Sequence, residues 1–400
     1  MKTVISRDPV AAVLILLSAS LLASLDAAPQ TASKEPGFSF RAQEIASDFG
    51  VGYAVATGDV NGDGRTDVVA ISGTDVVWFE APGWQKRIVL SGATPRDNVA
   101  LAVHDIDGDG RLDVAVGATW QPTSTTGGGT LHWVRQSGPQ SDPAWELHSI
   151  TEEPTLHRIR WADVDGDGTK ELIVGPLHGR GTKGPDWEGP GARLLVVRPP
   201  AAPAREPWPI EVADDTLHIL HNFLTVNFDN DAQEEIVTAS REGLNLLKRG
   251  AGGKWTRTLI GEGSPGEVKM GRVGGRRMIA TIEPWHGNSV VVYAEEQGLW
   301  ARTVIESAIT GGHALGWADL DGNGDDELVV GWRDKAPGVA VYRVTREGAL
   351  SSKIMIDEGG MATEDLTLAD LNGDGRPDII ASGRATRNVK IYWNEGQQAR

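Results

Sequence analysis

The 400-residue sequence contains no cysteine. Disulfides and lipid attachment through cysteine are thereby excluded, and an exported chain of this kind must be held by burial, topology or metal. Neither a Gly-x-Ser-x-Gly elbow nor a phosphate-binding glycine loop occurs, so no nucleophilic triad or nucleotide chemistry is indicated. Basic residues are outnumbered, 38 Lys and Arg against 55 Asp and Glu, for a net charge of -17. With no basic stripe to neutralise phosphates, nucleic acid is excluded as a partner. Long apolar runs are scarce too. The run from Val10 to Leu25 is short for a membrane span, and with Lys2 and Arg7 before it and Asp26-Ala27-Ala28 after it, it reads as a secretory signal. Residues 1–28 are expected to be a signal peptide and 29–37 a linker, which makes the mature protein secreted or periplasmic, with no membrane attachment after cleavage.

Glycine is abundant, at 50 residues, with 21 prolines and 40% hydrophobic content. That combination predicts many turns and few long helices around a large all-β core. The stretch His157 to Gly181 shows the unit. Its centre, Asp163-Val-Asp165-Gly-Asp167-Gly-Thr-Lys-Glu171, sets carboxylates at relative positions 1, 3, 5 and 9, the oxygen spacing of a calcium loop around a glycine turn. The flanks RIRWA and ELIVG are short apolar or alternating runs, so the loop closes a β-hairpin where an EF-hand would join two helices.

The spacing recurs at Asp59, Asn61, Asp63 and Asp67; at Asp105, Asp107, Asp109 and Asp113; at Asp319, Asp321, Asn323 and Glu327; and at Asp370, Asn372, Asp374 and Asp378. With the Asp163 loop these make five expected Ca2+ sites. Asn227-Phe-Asp229-Asn-Asp231-Ala-Gln-Glu-Glu235 is a sixth copy without its turn glycines. Arg272-Val-Gly-Gly-Arg-Arg is a seventh without its acids, expected to bind no calcium.

Each loop is followed by two further strand-like runs, the third strands falling at 76–79, 131–134, 194–197, 244–247, 290–293, 339–342 and 389–393. Most fourth strands open on tryptophan, as at Trp84, Trp145, Trp255 and Trp300. Four strands per repeat at a pitch of 45 to 64 residues predicts a seven-bladed β-propeller over 38–396. The last repeat stops after its third strand, so Phe38 to Ile45 is expected to supply the fourth and close the ring. This loop-and-strand pattern resembles the FG-GAP or VCBS repeat family of calcium-bearing propellers, over nearly the whole chain after residue 37. The resemblance implies the fold; because the family includes adhesion ectodomains, lectin-like modules and carbohydrate-active lyases, function has to come from the site.

In a propeller the first strands line the central channel. The residues six positions before each loop's first ligand, expected at the mouth away from the calcium loops, are Tyr53, Val99, His157, His221, Gly266, His313 and Glu364. Three of nine histidines fall on these seven positions, where composition alone gives roughly 0.2, so a funnel lined by His, Tyr and Glu is expected. Loops on the same face bring His178, Arg180 and Trp187 from repeat three, Trp285 and His286 from repeat five, Trp120 from repeat two, and Arg241, Arg333 and Arg384 from repeats four, six and seven. Flat aromatic faces and guanidinium groups around imidazoles suit a small carbohydrate or glycan.

The run 157–180, the stretch Leu217-His-Ile-Leu-His221-Asn222-Phe223 and the Trp-Ala-Asp-Leu-Asp-Gly-Asn-Gly segment after His313 resemble the propeller domain of the fungal aldos-2-ulose dehydratases, which dehydrate keto-sugars. The resemblance implies a base among His157, His221 and His313, an electrophile for the enolate oxygen, for which Arg180 is the candidate, and an acid for the departing hydroxyl. Alternatively three histidines hold Zn2+ or another divalent metal as the electrophile. Glu364, Tyr53, His178 and His286 complete the candidate catalytic set. No cupin domains of that family follow the seventh repeat, so a second activity or dimerisation housed there is not expected. The rival to a carbon-oxygen hydro-lyase is a non-catalytic secreted propeller that grips glycan or protein at the same face.

Overall fold

The second strand of most repeats is apolar after its first, acidic residue, and Asp67–Ile71, Asp113–Ala118, Glu171–Pro176 and Glu327–Trp332 are buried at every position. A strand buried on both faces needs a packed layer on each side, which face-to-face stacking of blades provides. Fourth strands behave differently. Ala144–Glu152 and Leu350–Glu358 mix exposed and half-buried positions, so burial falls from the middle strands to the rim.

In the computed structural model, which describes residues 38–397, the chain forms seven four-stranded antiparallel sheets. The expected signal peptide and linker lie outside the described residues. Blade 1 runs over 54–91, blade 2 over 100–152, blade 3 over 156–217, blade 4 over 222–261, blade 5 over 267–306 and blade 6 over 312–358. Blade 7 takes its inner three strands from 363–397. Its outermost strand is Phe38–Ala46, antiparallel to Val389–Gln397, with Arg41 opposite Trp393 and Gln43 opposite Ile391. The third strands are all present and mostly longer than the apolar runs that mark them.

The seven first strands pack side by side in blade order, and that of blade 7, Thr363–Ala369, packs in turn on that of blade 1, Ala54–Gly58. Polar contacts hold this last seam: Val55 N–H donates to Asp365 Oδ2 at 3.1 Å, and Gly52 N–H to the Gly383 carbonyl at 3.2 Å. Blades approach closely where glycine leaves room. A Cβ at Gly331 would stand 2.4 Å from Thr363 of the next blade, and one at Gly175 2.9 Å from the Phe223 ring. The architecture is the all-β seven-bladed propeller read from the repeats.

Phe38–Ala46 covers the edge of Val389–Gln397 and lays Phe40, Ile45 and Ala46 on the core. Deleting residues 1–46 should therefore cost several kcal/mol, roughly 5–10 °C in Tm, by exposing that edge. Deleting residues 1–34 should leave Tm unchanged; equal melting of the two truncations would contradict the pairing.

Candidate functional site at the channel axis

In a regular strand alternate side chains face opposite ways, so the residues five and six positions before a loop cannot both point to the channel. Register slips remove the conflict. In blades 3, 6 and 7 the pairing of the first strand skips a residue between Leu156 and Arg158, between Gly312 and Ala314, and between Thr363 and Asp365. The skipped residues are His157, His313 and Glu364. A bulge frees its extra residue from the ladder and re-aims its side chain, and the rings meet accordingly: centroids lie 4.6 Å apart for His157 and His221 and 5.1 Å for His221 and His313.

A relay around the ring holds these imidazoles. His157 Nδ1 lies 2.8 Å from the carbonyl oxygen of His221, His221 Nδ1 2.5 Å from that of Gly266, and His313 Nδ1 2.5 Å from that of Glu364. Each acceptor is the equivalent residue of the next blade. A carbonyl oxygen only accepts, so each ring carries its proton on Nδ1 and leaves Nε2 with a bare lone pair. His286 joins from a loop of blade 5, with Nε2 2.8 Å from His221 Nε2 and Nδ1 3.3 Å from Arg333 Nη2. Because a guanidinium only donates, His286 accepts at Nδ1 and donates its Nε2–H to His221. Its backbone sits at φ 52°, a left-handed conformation that costs about 1 kcal/mol or more and is typical of sites the fold over-determines.

All these rings are neutral. Burial first, then the charges of Arg158 and Arg333 and the neighbouring imidazoles, holds His157, His221 and His313 well below the usual 6.5. His286 is pushed the same way by burial, His221 and Arg333. The ligand atoms of His221, His286 and His313 lie within 4.8 Å of one another. This trio, with His286 in the place expected for His157, suits a divalent metal that takes nitrogen ligands: two members already have Nδ1 tied back and Nε2 bare, and the third becomes available once Arg333 releases its Nδ1.

Around the imidazoles, Glu364 is buried and ion-paired to both Arg333 and, at 2.8 Å, Arg384. Tyr53 lies beneath the Arg384 guanidinium, 5.6 Å from ring centre to Cζ, and burial raises its phenol pKa. Val99 and Gly266 add no functional group. Trp120 packs 4.7 Å from His157 and Trp285 5.7 Å from His221. His178 stacks on Trp187 at 3.7 Å, and burial lowers its pKa to about 4. His178 Nδ1 and Trp285 Nε1 are buried without a partner, two polar atoms available to a ligand.

Arg180 departs from its expected place at the enolate oxygen. It is bound instead to the buried Glu153, at 2.7 and 3.1 Å, because that carboxylate needs a cation and Arg180 and Arg193 share it. Arg333 is the guanidinium at the histidines. Arg241 likewise turns aside, to Glu188 at 3.1 Å.

The residue-by-position reading missed a second tier. Arg158, Asn222, Glu267 and Asp365 stand five positions before their loops, and the first three are linked: Arg158 to Glu267 at 3.5 Å, and Asn222 Nδ2 to Glu267 Oε2 at 2.5 Å. Glu267 Oε1 also lies 3.4 Å from His221 Nδ1. The available signal was polar residues at one fixed offset within otherwise apolar strands.

At the other end of the first strands the acidic loops share one geometry. The carboxylate at position 9 accepts the N–H at position 2, from Val60 to Asp67, Ile106 to Asp113, Val164 to Glu171, Leu320 to Glu327 and Leu371 to Asp378, all at 3.0–3.2 Å. The aspartate at position 1 accepts the N–H at position 6, at 2.8 Å in the Asp59, Asp105, Asp163 and Asp370 loops and 2.9 Å in the Asp319 loop. That donor is a glycine with positive φ, such as Gly64 at 82°.

Comparison with known proteins accords with both resemblances drawn from the sequence. Residues 128–296 match the family model described as "Aldos-2-ulose dehydratase, beta-propeller domain". Residues 59–116 and 319–381 match that of the FG-GAP-like repeat. Among curated proteins, aldos-2-ulose dehydratase of Phanerodontia chrysosporium is 26% identical over 234 residues, covering 51% of this chain and 25% of that protein. The chain thus matches about a quarter of its relative's length. Among solved structures, BBS1N in complex with ARL6DN, soaked with mercury, aligns at a TM-score of 0.56 and 14% identity over 89% of this chain and 97% of that one. A lead-soaked form aligns at 0.56 and 16% over 90% and 98%. At such identity the likeness is one of fold.

The neutral histidines have a pH consequence. A ring whose folded pKa lies below its unfolded 6.5 contributes no penalty above that pH and destabilises the fold as pH falls through it, because only the unfolded chain takes up the proton. Between pH 7 and 5, His313→Asn should flatten the fall in unfolding free energy by roughly 2 kcal/mol, the cost at pH 5 of keeping one imidazole neutral. Parallel pH profiles of wild type and variant would contradict a neutral His313.

Proposed function

We propose that the protein is an exported hydro-lyase that eliminates water from a keto-sugar at the axial histidines. The observation that carries this reading is the convergence of four neutral imidazoles, three with Nε2 bare, beside a guanidinium and a buried phenol. The match of residues 128–296 to a dehydratase propeller domain supports the same class of chemistry.

His157 is the base. Its Nδ1–H is anchored on the His221 carbonyl, and its bare Nε2 accepts the proton from the carbon next to the ketone. A ring with a lowered pKa is a weak base, so the carbon acid has to be made stronger. Arg333, held between Glu364 and His286, faces the developing negative charge on the ketone oxygen. When His221, His286 and His313 hold a Zn2+ or similar ion, it supplies Lewis acidity at that oxygen. Tyr53, kept protonated by burial, donates to the departing hydroxyl, which leaves as water while the C–C double bond of the enone forms; His157 then returns its proton to the phenolate. Trp187 and Trp285, half-buried at the mouth, offer flat faces to the sugar ring. Those aromatic faces equally favour a second reading, a glycan-binding propeller without turnover.

A panel of keto-sugars assayed for an ultraviolet-absorbing enone separates the two. Wild type should form the product, and His157→Ala and His157→Gln should each lower kcat by at least about 100-fold while circular dichroism stays unchanged. Binding of sugars with no turnover across the panel would leave the glycan-binding reading, and full activity in both variants would overturn His157 as the base.

A further inference from the structure

The acidic loops divide into two kinds, and the difference lies on the neighbouring strand. The residue paired across the sheet from position 9 is Arg135 in blade 2, Arg198 in blade 3, Lys248 in blade 4 and Arg343 in blade 6, as the registers of the second and third strands give it. Each of these cations reaches the aspartate at position 3: Arg135 to Asp107 at 2.6 Å, Arg198 to Asp165 at 2.9 Å, Arg343 to Asp321 at 2.7 Å, and Lys248 to Asp229. Three also touch the carboxylate at position 9, Arg198 at 3.6 Å from Glu171, Arg343 at 3.4 Å from Glu327 and Lys248 at 3.3 Å from Glu235. In blades 1 and 7 the same place holds Glu80 and Trp393. There position 3 is Asn61 and Asn372, with no charge.

Position 3 is thus acidic in every loop whose cross-strand partner is a cation, and an amide in both loops where it is not. Blade 5 has lost its acids and holds Met278 opposite Ala294 at the corresponding place, but one residue further along the same two strands Arg277 binds Glu295 at 2.5 Å. What recurs from blade 2 to blade 6 is an ion pair between neighbouring strands, independent of the glycines and of the acids at positions 1 and 5. Ca2+ needs six to eight oxygens, including those at positions 3 and 9. A guanidinium already bound to them removes ligands and adds like-charge repulsion.

We infer that Arg135, Arg198, Lys248 and Arg343 serve as built-in cations, so that the loops of blades 2, 3, 4 and 6 take no calcium and, of the five intact loops, only those at Asp59 and Asp370 are left for it. Calcium bound per chain, measured by atomic absorption after equilibrium dialysis at 1 mM free Ca2+, should be two or fewer in wild type. Arg343→Ala and Arg198→Ala should each raise the count by one and melt lower than wild type in EGTA, with the loss restored by Ca2+. Arg343→Lys should keep the wild-type count. Three or more calcium ions in wild type, or no gain in folded Ala variants, would overturn the inference; the wild-type count decides it even if the variants do not fold.

Discussion

The site depends on one constraint, the closure of seven first strands around a single axis. Each strand alone offers the channel only every second residue, and it is the skipped residue at His157, His313 and Glu364 that lets two successive positions face inward. Closure then makes each imidazole's nearest carbonyl that of the next blade, so the ring of strands also sets the tautomers. Site and architecture share the same hydrogen bonds, and a change that loosens one seam also releases an imidazole of the site.

Burial at this axis has two effects. It removes charge from the imidazoles, which makes them ligands and bases at neutral pH but weak ones. It also obliges the charges that remain to pair, which explains why Glu267 meets Arg158 and Asn222, why Glu364 carries two guanidiniums, and why Arg180 was drawn to Glu153. Arg180 is therefore held at Glu153, and the guanidinium beside the histidines is that of Arg333.

The strands, the loops and the inward histidines were legible because each rests on a local period or a fixed spacing. The run ELIVG from Glu171 reads as a strand from its own residues, and Asp59 to Asp67 reads as a loop from its own spacing. What was not legible depends on register between strands. His286 enters the trio through a loop whose backbone conformation no periodicity encodes, and Arg135 or Lys248 looks like an ordinary strand residue until the sheet sets it against Asp107 or Asp229. Part of the acidic charge of the loops is balanced in this way from within the chain.

The tautomeric state of the axial histidines tests the account most directly. Nitrogen-15 NMR of imidazole-labelled protein, freed of metal by a chelator at pH 7, distinguishes protonated from bare ring nitrogens. The account predicts that His157, His221 and His313 are neutral with the proton on Nδ1 and Nε2 bare. Imidazolium signals, or Nε2-protonated rings at these three positions, would contradict it.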